Sequence, residues 1–453
     1  MKLNNSLLAL LSALTLATFS SGCPATGGTS VSGGGAGGGN GGGGSSVAGS
    51  CVTTNNGSPV STLVNGASVA NPGGASNQIY FFPKNGDMAV NANIPMVTIT
   101  ICLGNVAGVN CATVPNILLD TGSYGLRVFK TAMKKYNAAI TMPATTTADC
   151  AEFGSGASWG AVEPAFVTLG GQVTSTAVPI QVIDTTFGAV SNCVPQVGSL
   201  FSSPSQSGFN GILGVGPLVS ECVDGAEGVA CACTGGLCTH QLGAGIYYSC
   251  PTGFAGGACT PAAVAQAAQV SNPVAFLPAT FNNGISLSLP TVGNLGGPTT
   301  TVGYVTFGIP NFVNAGIVVY PTTNVAEFAT NFTGTSETSI LDSGSNGIYL
   351  PNAIAKFSLD SGWAIPSSLT ACSGINIGQP NAPKSFVNFQ VANADQLFST
   401  SNVVFSNLIG DGGSGFFDWG LPFFLGRNVF IGLNNSPGAT INNVPRSGPY
   451  WAY

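Results

Sequence analysis

The protein has 453 residues, a length that suits two or three domains of ordinary size or one elongated two-lobed body. Asp, Glu, Lys and Arg make up only 6% of the chain, whereas glycine alone supplies 65 residues, which favours a loop-rich β protein with few, short helices. The net charge of −6, with ten basic residues, cannot neutralise a row of phosphates and so argues against nucleic acid as a partner.

Residues 1–23 have the features of an export signal. Lys2 precedes an apolar run over residues 7–19, and the small residues SSGC then end at Cys23, as in a secretory signal peptide. SSGC also resembles the bacterial lipobox, in which the cysteine is lipidated after cleavage, although Ser20 stands where leucine is usual. The sequence therefore predicts a lipid on Cys23, with simple signal cleavage as the alternative.

Residues 24–50 consist almost entirely of Gly, Ser, Asn and Ala, a composition typical of a flexible tether. No later stretch of 18 or more apolar residues follows. We therefore expect an exported body that Cys23 anchors to the membrane of a bacterial cell envelope, at the outer membrane or the cell surface.

The cysteines fit an oxidising compartment. Of thirteen cysteines, twelve remain after Cys23, and an even number in an exported protein predicts disulfides. Cys102 and Cys111 flank a hairpin-like connection that a disulfide would close. Six cysteines lie within residues 222–259, which predicts a disulfide-stapled insertion. Zinc is the competing interpretation there, and it would use the neighbouring residues Cys231, Cys233, Cys238 and His240.

The body consists mainly of β-branched or alternating apolar runs bounded by Gly, Pro or Asn, which predict strands. These runs cover residues 96–104, 115–120, 165–171, 178–184, 285–290, 303–309, 315–320 and 401–409. Short helices are predicted only over residues 130–139 and 262–269. The predicted fold class is therefore mostly β.

One motif occurs twice. The segment LLDTGSYGL carries Asp120, and ILDSGSNGI carries Asp342 in the corresponding position. A second landmark follows each copy, since GILG ends at Gly214 and FFLG ends at Gly426. This duplication predicts two similar halves, each of which brings one carboxylate to the end of a buried strand.

Paired carboxylates have a distinctive chemistry if the two motifs face each other. At about 4 Å and an effective dielectric near 20, two negative charges repel by roughly 4 kcal/mol, so one proton stays on the pair over a wide pH range. Such a dyad of Asp120 and Asp342 can take a proton from water while giving one to a carbonyl oxygen, which hydrolyses an amide without metal or cofactor. The single histidine, His240, lies in the cysteine-rich insertion, which argues against a Ser-His or Cys-His catalyst.

Over residues 80–435 the chain resembles pepsin-like aspartic peptidases, and more closely a family of uncharacterised bacterial lipoproteins with that fold. The motifs that carry the resemblance are the LLDTGS and ILDSGS turns, GFNGILGVG, GYVTFGI and GLPFFLGRNVF. The resemblance implies a bilobal body of two six-stranded-type β-barrels with a cleft between them. We assign residues 51–275, with the insertion 222–259, to the N-terminal lobe and residues 276–453 to the C-terminal lobe.

The function that the resemblance implies is an envelope-anchored aspartic endopeptidase that cleaves a peptide or protein lying in the interlobe cleft, acts as a monomer and needs no cofactor. The alternative is a non-catalytic lipoprotein that keeps the fold as a peptide-binding or adhesive surface. Such a protein would tolerate the loss of Asp120 or Asp342.

The resemblance also implies roles for the residues around the two aspartates. Thr121 and Ser343 would lock the two turns together, while Ser123 and Ser345 would donate hydrogen bonds to the aspartates. The remaining supports of the dyad would be the turn glycines, Gly122 and Gly344.

A later strand would cross each turn of the motif. The resemblance assigns this position to residues 212–214 in the first half and to residues 424–426 in the second.

The chain departs from the family pattern at the flap, the hairpin that closes over the substrate. Phe153 and Gly154 stand where the family usually has Tyr-Gly, so a hydroxyl is missing. Arg127 occupies the position of the tryptophan that usually partners that tyrosine, which predicts a cation not far from the dyad. The resemblance to pepsin-like peptidases therefore does not predict the substrate preference or the pH optimum of this protein.

Overall fold

A computed structural model describes residues 51–52, 69–81, 92–188, 193, 198–221, 231–234, 237–240, 247–351, 357–413, 415–434 and 436–453. The predicted signal peptide, Cys23 and the tether lie outside these residues. The zinc interpretation of residues 231–240 concerns side chains that are likewise not described. None of the helices in the described ranges is long and apolar enough to cross a membrane.

The mostly β prediction is confirmed. Strands of the first half are β1 Cys51–Val52, β2 Ser76–Tyr80, β3 Met96–Leu103, β4 Cys111–Asp120, β5 Tyr124–Phe129, β6 Thr147–Phe153, β7 Gly156–Leu169, β8 Gln172–Val173, β9 Val178–Ile183, β10 Ser199–Leu200, β11 Gly211–Val215, β12 Cys231–Thr234, β13 Leu237–His240, β14 Tyr247–Ser249, β15 Thr260–Pro261 and β16 Val264–Ala265. Strands of the second half are β17 Gly284–Ser288, β18 Val302–Phe307, β19 Val319–Pro321, β20 Phe328–Phe332, β21 Thr335–Asp342, β22 Ile348–Leu350, β23 Leu359–Asp360, β24 Trp363–Ala364, β25 Thr370–Ile377, β26 Lys384–Val391, β27 Ile409–Asp411, β28 Phe416–Gly420, β29 Asn428–Gly432, β30 Ala439–Ile441, β31 Val444–Arg446 and β32 Tyr450–Ala452.

Helices are short. They comprise the α-helices α1 Lys130–Tyr136, α2 Pro204–Ser207, α3 Ala394–Phe398 and α4 Leu421–Phe424, and the 3₁₀ turns Gly253–Ala255, Gln266–Ala268 and Pro273–Phe276. The helix predicted over residues 130–139 is therefore present as α1.

Two large sheets organise the chain. The larger one holds most strands of the first half together with β17, β18, β19, β29 and β32 of the second, and β18 pairs antiparallel with β2 to join them. The other contains β20–β28 and, from the beginning of the described chain, β1. The domain boundary at residue 275 stays a prediction, because the larger sheet runs through strands of both halves.

The described disulfides include short-range bridges and one that connects distant parts of the chain. Cys102–Cys111 closes the β3–β4 hairpin, as the spacing predicts. The other bridges are Cys150–Cys193, Cys250–Cys259 and Cys51–Cys372. The last one joins β1 to β25 across 321 residues of sequence, so Cys51 lies with the sheet of the second half.

The strand predicted over residues 401–409 is wrong except at Ile409, which begins β27, and Val404, which forms an isolated bridge with Gly297. Val403, Val404, Phe405 and Leu408 are buried, but their backbone follows an irregular path. Val404 N donates to Gly297 O, and Phe405 N donates to the side chain of Asn93. The apolar run therefore reports burial and not strand pairing, because loop and side-chain acceptors satisfy its backbone donors.

Two further predictions need correction. The helix predicted over residues 262–269 is replaced by β16, which pairs with β13, and a 3₁₀ turn, so edge pairing overrides the helix preference of alanine. Of the strand predicted over residues 315–320, only its end is extended, as β19.

Candidate active site

The first Asp-Thr-Gly turn connects β4 to β5. Strand β4 is buried over its last four residues and ends at Asp120. Strand β11 then inserts between the two, parallel to β4 and antiparallel to β5, with Gly214 opposite Asp120. A β-carbon on Gly214 would lie 2.7 Å from the backbone of Tyr124, so only glycine permits this close approach. The structure thus places residues 212–214 as the resemblance predicts.

The second turn repeats this arrangement with a different crossing strand from the one predicted. Strand β28 runs parallel to β21, with Gly420 opposite Asp342, and antiparallel to β22. A β-carbon on Gly420 would lie 1.9 Å from Gly347 O. The prediction that residues 424–426 cross this turn is wrong, because α4 begins directly after Gly420 and carries the chain away from the turn.

The two turns are locked to each other by reciprocal hydrogen bonds. Thr121 Oγ1 donates to Leu341 O at 2.7 Å and accepts from Ser343 N at 2.8 Å. Ser343 Oγ donates to Leu119 O at 2.7 Å and accepts from Thr121 N at 3.1 Å. Both hydroxyls are buried, where hydrogen bonds hold strongly because water does not compete. Residues 222 positions apart are thereby held in one rigid unit.

Each carboxylate is also held from its own turn. Asp120 accepts from Gly122 N at 2.8 Å and from the Ser123 hydroxyl. Asp342 accepts from Gly344 N at 2.8 Å, and Ser345 donates to it from both its backbone N, at 3.2 Å, and its hydroxyl, at 2.7 Å. The structure thus places all six predicted supporting residues at the dyad.

The carboxyl groups of Asp120 and Asp342 lie next to each other. A β-carbon on Gly122 would lie 2.5 Å from Cγ of Asp342, and one on Gly344 would lie 2.7 Å from Oδ1 of Asp120. Glycine in both turns therefore leaves room for the opposite carboxyl, and the Asp342 side chain is a hydrogen-bond partner of Asp120. Burial, and then the negative charge of Asp342, raise the pKa of Asp120 well above its usual range, against the opposing effect of the Ser123 hydroxyl.

Two residues that the sequence did not single out hold the second turn. Asn93 is fully buried, and its side-chain amide donates to Asn346 O at 2.7 Å and to Phe405 O at 2.9 Å. Tyr349 donates to the Asn346 side chain at 2.6 Å. A lone asparagine such as Asn93 carries no recognisable sequence signal, because its partners lie more than 250 residues away.

The predicted flap is a β-hairpin formed by β6 and β7, with Phe153 opposite Gly156 and residues 154–155 at the turn. The Phe153 ring packs on Phe201, with 5.8 Å between centroids, and the Arg127 guanidinium lies 5.4 Å from it. Arg127 also donates to Tyr124 O at 2.7 Å. Burial raises the pKa of Tyr124, and the negative charges of Glu327, Asp120 and Asp342 add to this effect. Arg127 therefore connects the hairpin tip to the surroundings of the dyad.

Nearby carboxylates neutralise the positive charge of Arg127, the cation that the sequence predicts near the dyad. Its side chain is buried, forms a close ion pair with Glu221 and lies 3.7 Å from Asp149. Tyr247 donates to the same Glu221 carboxylate. Burial raises the pKa of Asp149 to about 7, against the lowering effect of Arg127. Arg127 therefore belongs to a buried ion cluster.

Within the described residues, no group of three or more His, Cys, Asp or Glu side chains could hold a metal ion. The dyad contains only two carboxylates, and its oxygens are occupied by turn N–H groups and hydroxyls. The chemistry that these residues can supply by themselves is proton transfer.

No curated protein matches the chain. Among solved structures, the aspartic proteinase from Irpex lacteus is similar, at 15% sequence identity and a TM-score of 0.42, over 83% of this chain and 96% of that chain. A family model described as "Protein of unknown function (DUF3443)" matches residues 74–453. The chain therefore belongs to the DUF3443 family, in keeping with the resemblance to a family of unknown function.

Proposed function

We propose that this protein is an aspartic endopeptidase that hydrolyses peptide bonds with a water molecule activated between Asp120 and Asp342. The observation that carries the proposal is the contact between the two carboxyl groups, which two reciprocally bonded turns hold together. Such fixed geometry supplies what an unaided carboxylic acid in water lacks, namely an acid and a base oriented on the same reacting group.

The charge state of the pair suits this chemistry. Because burial and the neighbouring charge raise the pKa of Asp120, we assign the proton that the pair shares to Asp120. Asp342 then accepts a proton from the attacking water, and Asp120 donates its proton to the carbonyl oxygen of the peptide bond. The resulting gem-diol collapses when Asp342 passes the proton taken from water to the amide nitrogen and Asp120 takes a proton back from a hydroxyl of the gem-diol. The C–N bond then breaks to give a carboxylic acid and an amine, and the dyad regains its starting state. No covalent intermediate with the protein is formed.

The substrate in this proposal is an extended, unfolded segment of a protein, because a peptide bond must be free of other structure to reach two carboxyl groups that are held in fixed positions. The proposed location is the bacterial cell envelope, where a lipid on Cys23 would anchor the protein. The anchor is tested separately by membrane fractionation of wild type and Cys23→Ser. Membrane association of Cys23→Ser equal to that of the wild type would argue against it.

The decisive experiment is cleavage of an unfolded protein between pH 2 and 8. We expect cleavage by the wild type, and at least a hundredfold loss in both Asp120→Asn and Asp342→Asn, since each variant removes one of the two proton-transfer groups. Asp360→Asn is the matched control, because Asp360 is an exposed residue of β23 whose carboxylate accepts a hydrogen bond from the Ser361 hydroxyl.

Thermal unfolding shows whether each variant is folded. Turnover by folded Asp120→Asn equal to that of the wild type would refute the proposed endopeptidase mechanism. Absence of cleavage by the folded wild type at every pH would leave the non-catalytic peptide-binding protein as the better interpretation.

A further inference from the structure

The second half of the chain contains a cavity of about 450 Å³ that is separate from the dyad. Its walls are largely aromatic and aliphatic, with Ile348, Phe389, Trp419 and Phe423 among the lining residues. These four side chains are buried. The volume falls within the range of roughly 300–1,000 Å³ that small-molecule sites occupy, so the cavity can hold the apolar part of a ligand.

The cavity wall is rigid on its apolar side. The ring of Trp419 packs edge-on against Phe389, at 5.5 Å, and lies 5.4 Å from Phe423. Trp419 Nε1 donates to Thr330 Oγ1 at 3.0 Å, so the indole already has its hydrogen-bond partner. This side therefore offers an apolar surface and no free polar group from the tryptophan.

One positive charge lines the cavity. Arg427 packs its guanidinium 4.6 Å from the Phe423 ring centroid and donates to two backbone carbonyls, those of Phe423 and Asn388. No carboxylate of the described residues forms an ion pair with it, since the described ion pairs involve Arg127 and Lys130. A guanidinium has five N–H donors, so most of its capacity for binding an anion remains.

The partly buried position of the Arg427 guanidinium also favours the binding of an anion beside it. Burial lowers the pKa of Arg427, because removing a cation from water without a counter-ion is unfavourable. A bound carboxylate would supply that counter-ion in a planar, two-point arrangement, which guanidinium groups favour. Ser373 and Gln390 also line the cavity, and their side chains have no hydrogen bond to the residues that the structure describes. They can therefore donate further hydrogen bonds to the carboxylate oxygens.

We propose that this cavity binds an amphiphilic monocarboxylate, with its carboxylate on Arg427 and its apolar tail against the wall that Phe389 and Leu425 line. The site shares no residue with the proposed dyad, so it stands or falls independently of the peptidase activity. Its polar side is open to solvent, since Asn388 is exposed. A ligand can therefore enter tail first and leave its charged head beside the arginine.

The test is isothermal titration of the protein with decanoate, and with 1-decanol and decylammonium as neutral and cationic analogues of the same tail. We expect saturable binding of one decanoate per chain and affinity at least tenfold weaker for both analogues. Arg427→Gln should weaken decanoate binding about 10- to 100-fold, as loss of a charge-assisted hydrogen bond does. It should leave the affinity for decanol unchanged.

Lys384→Gln is the matched control, because it removes an exposed cation from β26, a strand that also lines the cavity, without removing a lining residue. Ser373→Phe places a bulky ring in the cavity and should abolish binding of all three ligands. If Arg427→Gln fails to fold, Ser373→Phe still tests whether the ligands bind in this cavity. Absence of saturable decanoate binding, equal affinity for decanol, or undiminished binding by folded Ser373→Phe would each overturn the proposal.

Discussion

Replacing Glu163 by glutamine should remove a large part of the pH dependence of this protein's stability. Glu163 lies in the middle of β7, opposite Ile180 of β9, and its side chain is 0% exposed. Neither carboxylate oxygen has a hydrogen-bond partner among the described residues. Burial alone raises its pKa from 4.5 to about 8. The folded chain therefore keeps a proton on Glu163 at pH values where the unfolded chain has lost it.

The sign and size of the effect follow from this difference. A raised pKa stabilises the folded state fully below the unfolded value of 4.5, and that stability is lost as the pH rises towards 8. Each pH unit inside this window changes the free energy of unfolding by about 1.4 kcal/mol. Between pH 5 and pH 8, Glu163 should therefore lower the stability of the wild type by about 3–4 kcal/mol.

The assay is denaturant unfolding of wild type and Glu163→Gln at several pH values from 5 to 8. Glutamine cannot ionise, so the stability of the variant relative to the wild type should increase by about 3–4 kcal/mol across this range. Glu337→Gln, a change at a partly exposed glutamate in the other large sheet, controls for the substitution itself. Parallel pH profiles for wild type and Glu163→Gln would refute the reasoning.

Two other acids, one buried and one partly buried, act in the same direction. Burial raises the pKa of Asp149 to about 7 and raises that of Glu327. Their protonated forms are favoured by folding, so the folded chain gains stability as the pH falls from 8 towards 5. This preference for mildly acidic conditions is compatible with the proposed peptidase activity, which requires one proton on the dyad.

Two further substitutions test the site. Thr121→Val keeps the shape of the side chain but leaves Ser343 N and Leu341 O without their partner. It should therefore lower the free energy of unfolding by about 1–3 kcal/mol and the cleavage rate by up to about a hundredfold. Exposed Thr338→Val is the control, and equal cleavage rates for Thr121→Val and the wild type would contradict the locking role. Arg127→Gln leaves Asp149 and Glu221 without their cation. Denaturant unfolding should therefore show a free energy of unfolding lower by about 3–5 kcal/mol at pH 8, and a smaller decrease at pH 5, where Asp149 is protonated. An equal decrease at both pH values would contradict the assignment of Arg127 to a buried ion cluster.

The sequence by itself determined the local features of the candidate site. An apolar strand that ends in Asp-Thr/Ser-Gly-Ser carries its carboxylate, its turn glycine and its supporting hydroxyl within four residues, so their mutual arrangement depends on short-range backbone geometry. The hairpin of β3 and β4 and its disulfide are local for the same reason. Repetition of the motif at Asp120 and Asp342 further indicated that two such turns share one site.

Only the tertiary structure decided which distant segments complete the site. Both GLPFFLG and FFDWG end in glycine, and sequence spacing favoured Gly426, yet strand pairing places Gly420 against Asp342. The buried partners of Arg127 and the second-half cavity beside Arg427 were likewise invisible in the sequence. Hydrophobic periodicity reports which residues are buried, whereas contacts between residues hundreds of positions apart depend on how the sheets pack, and no local pattern encodes that choice.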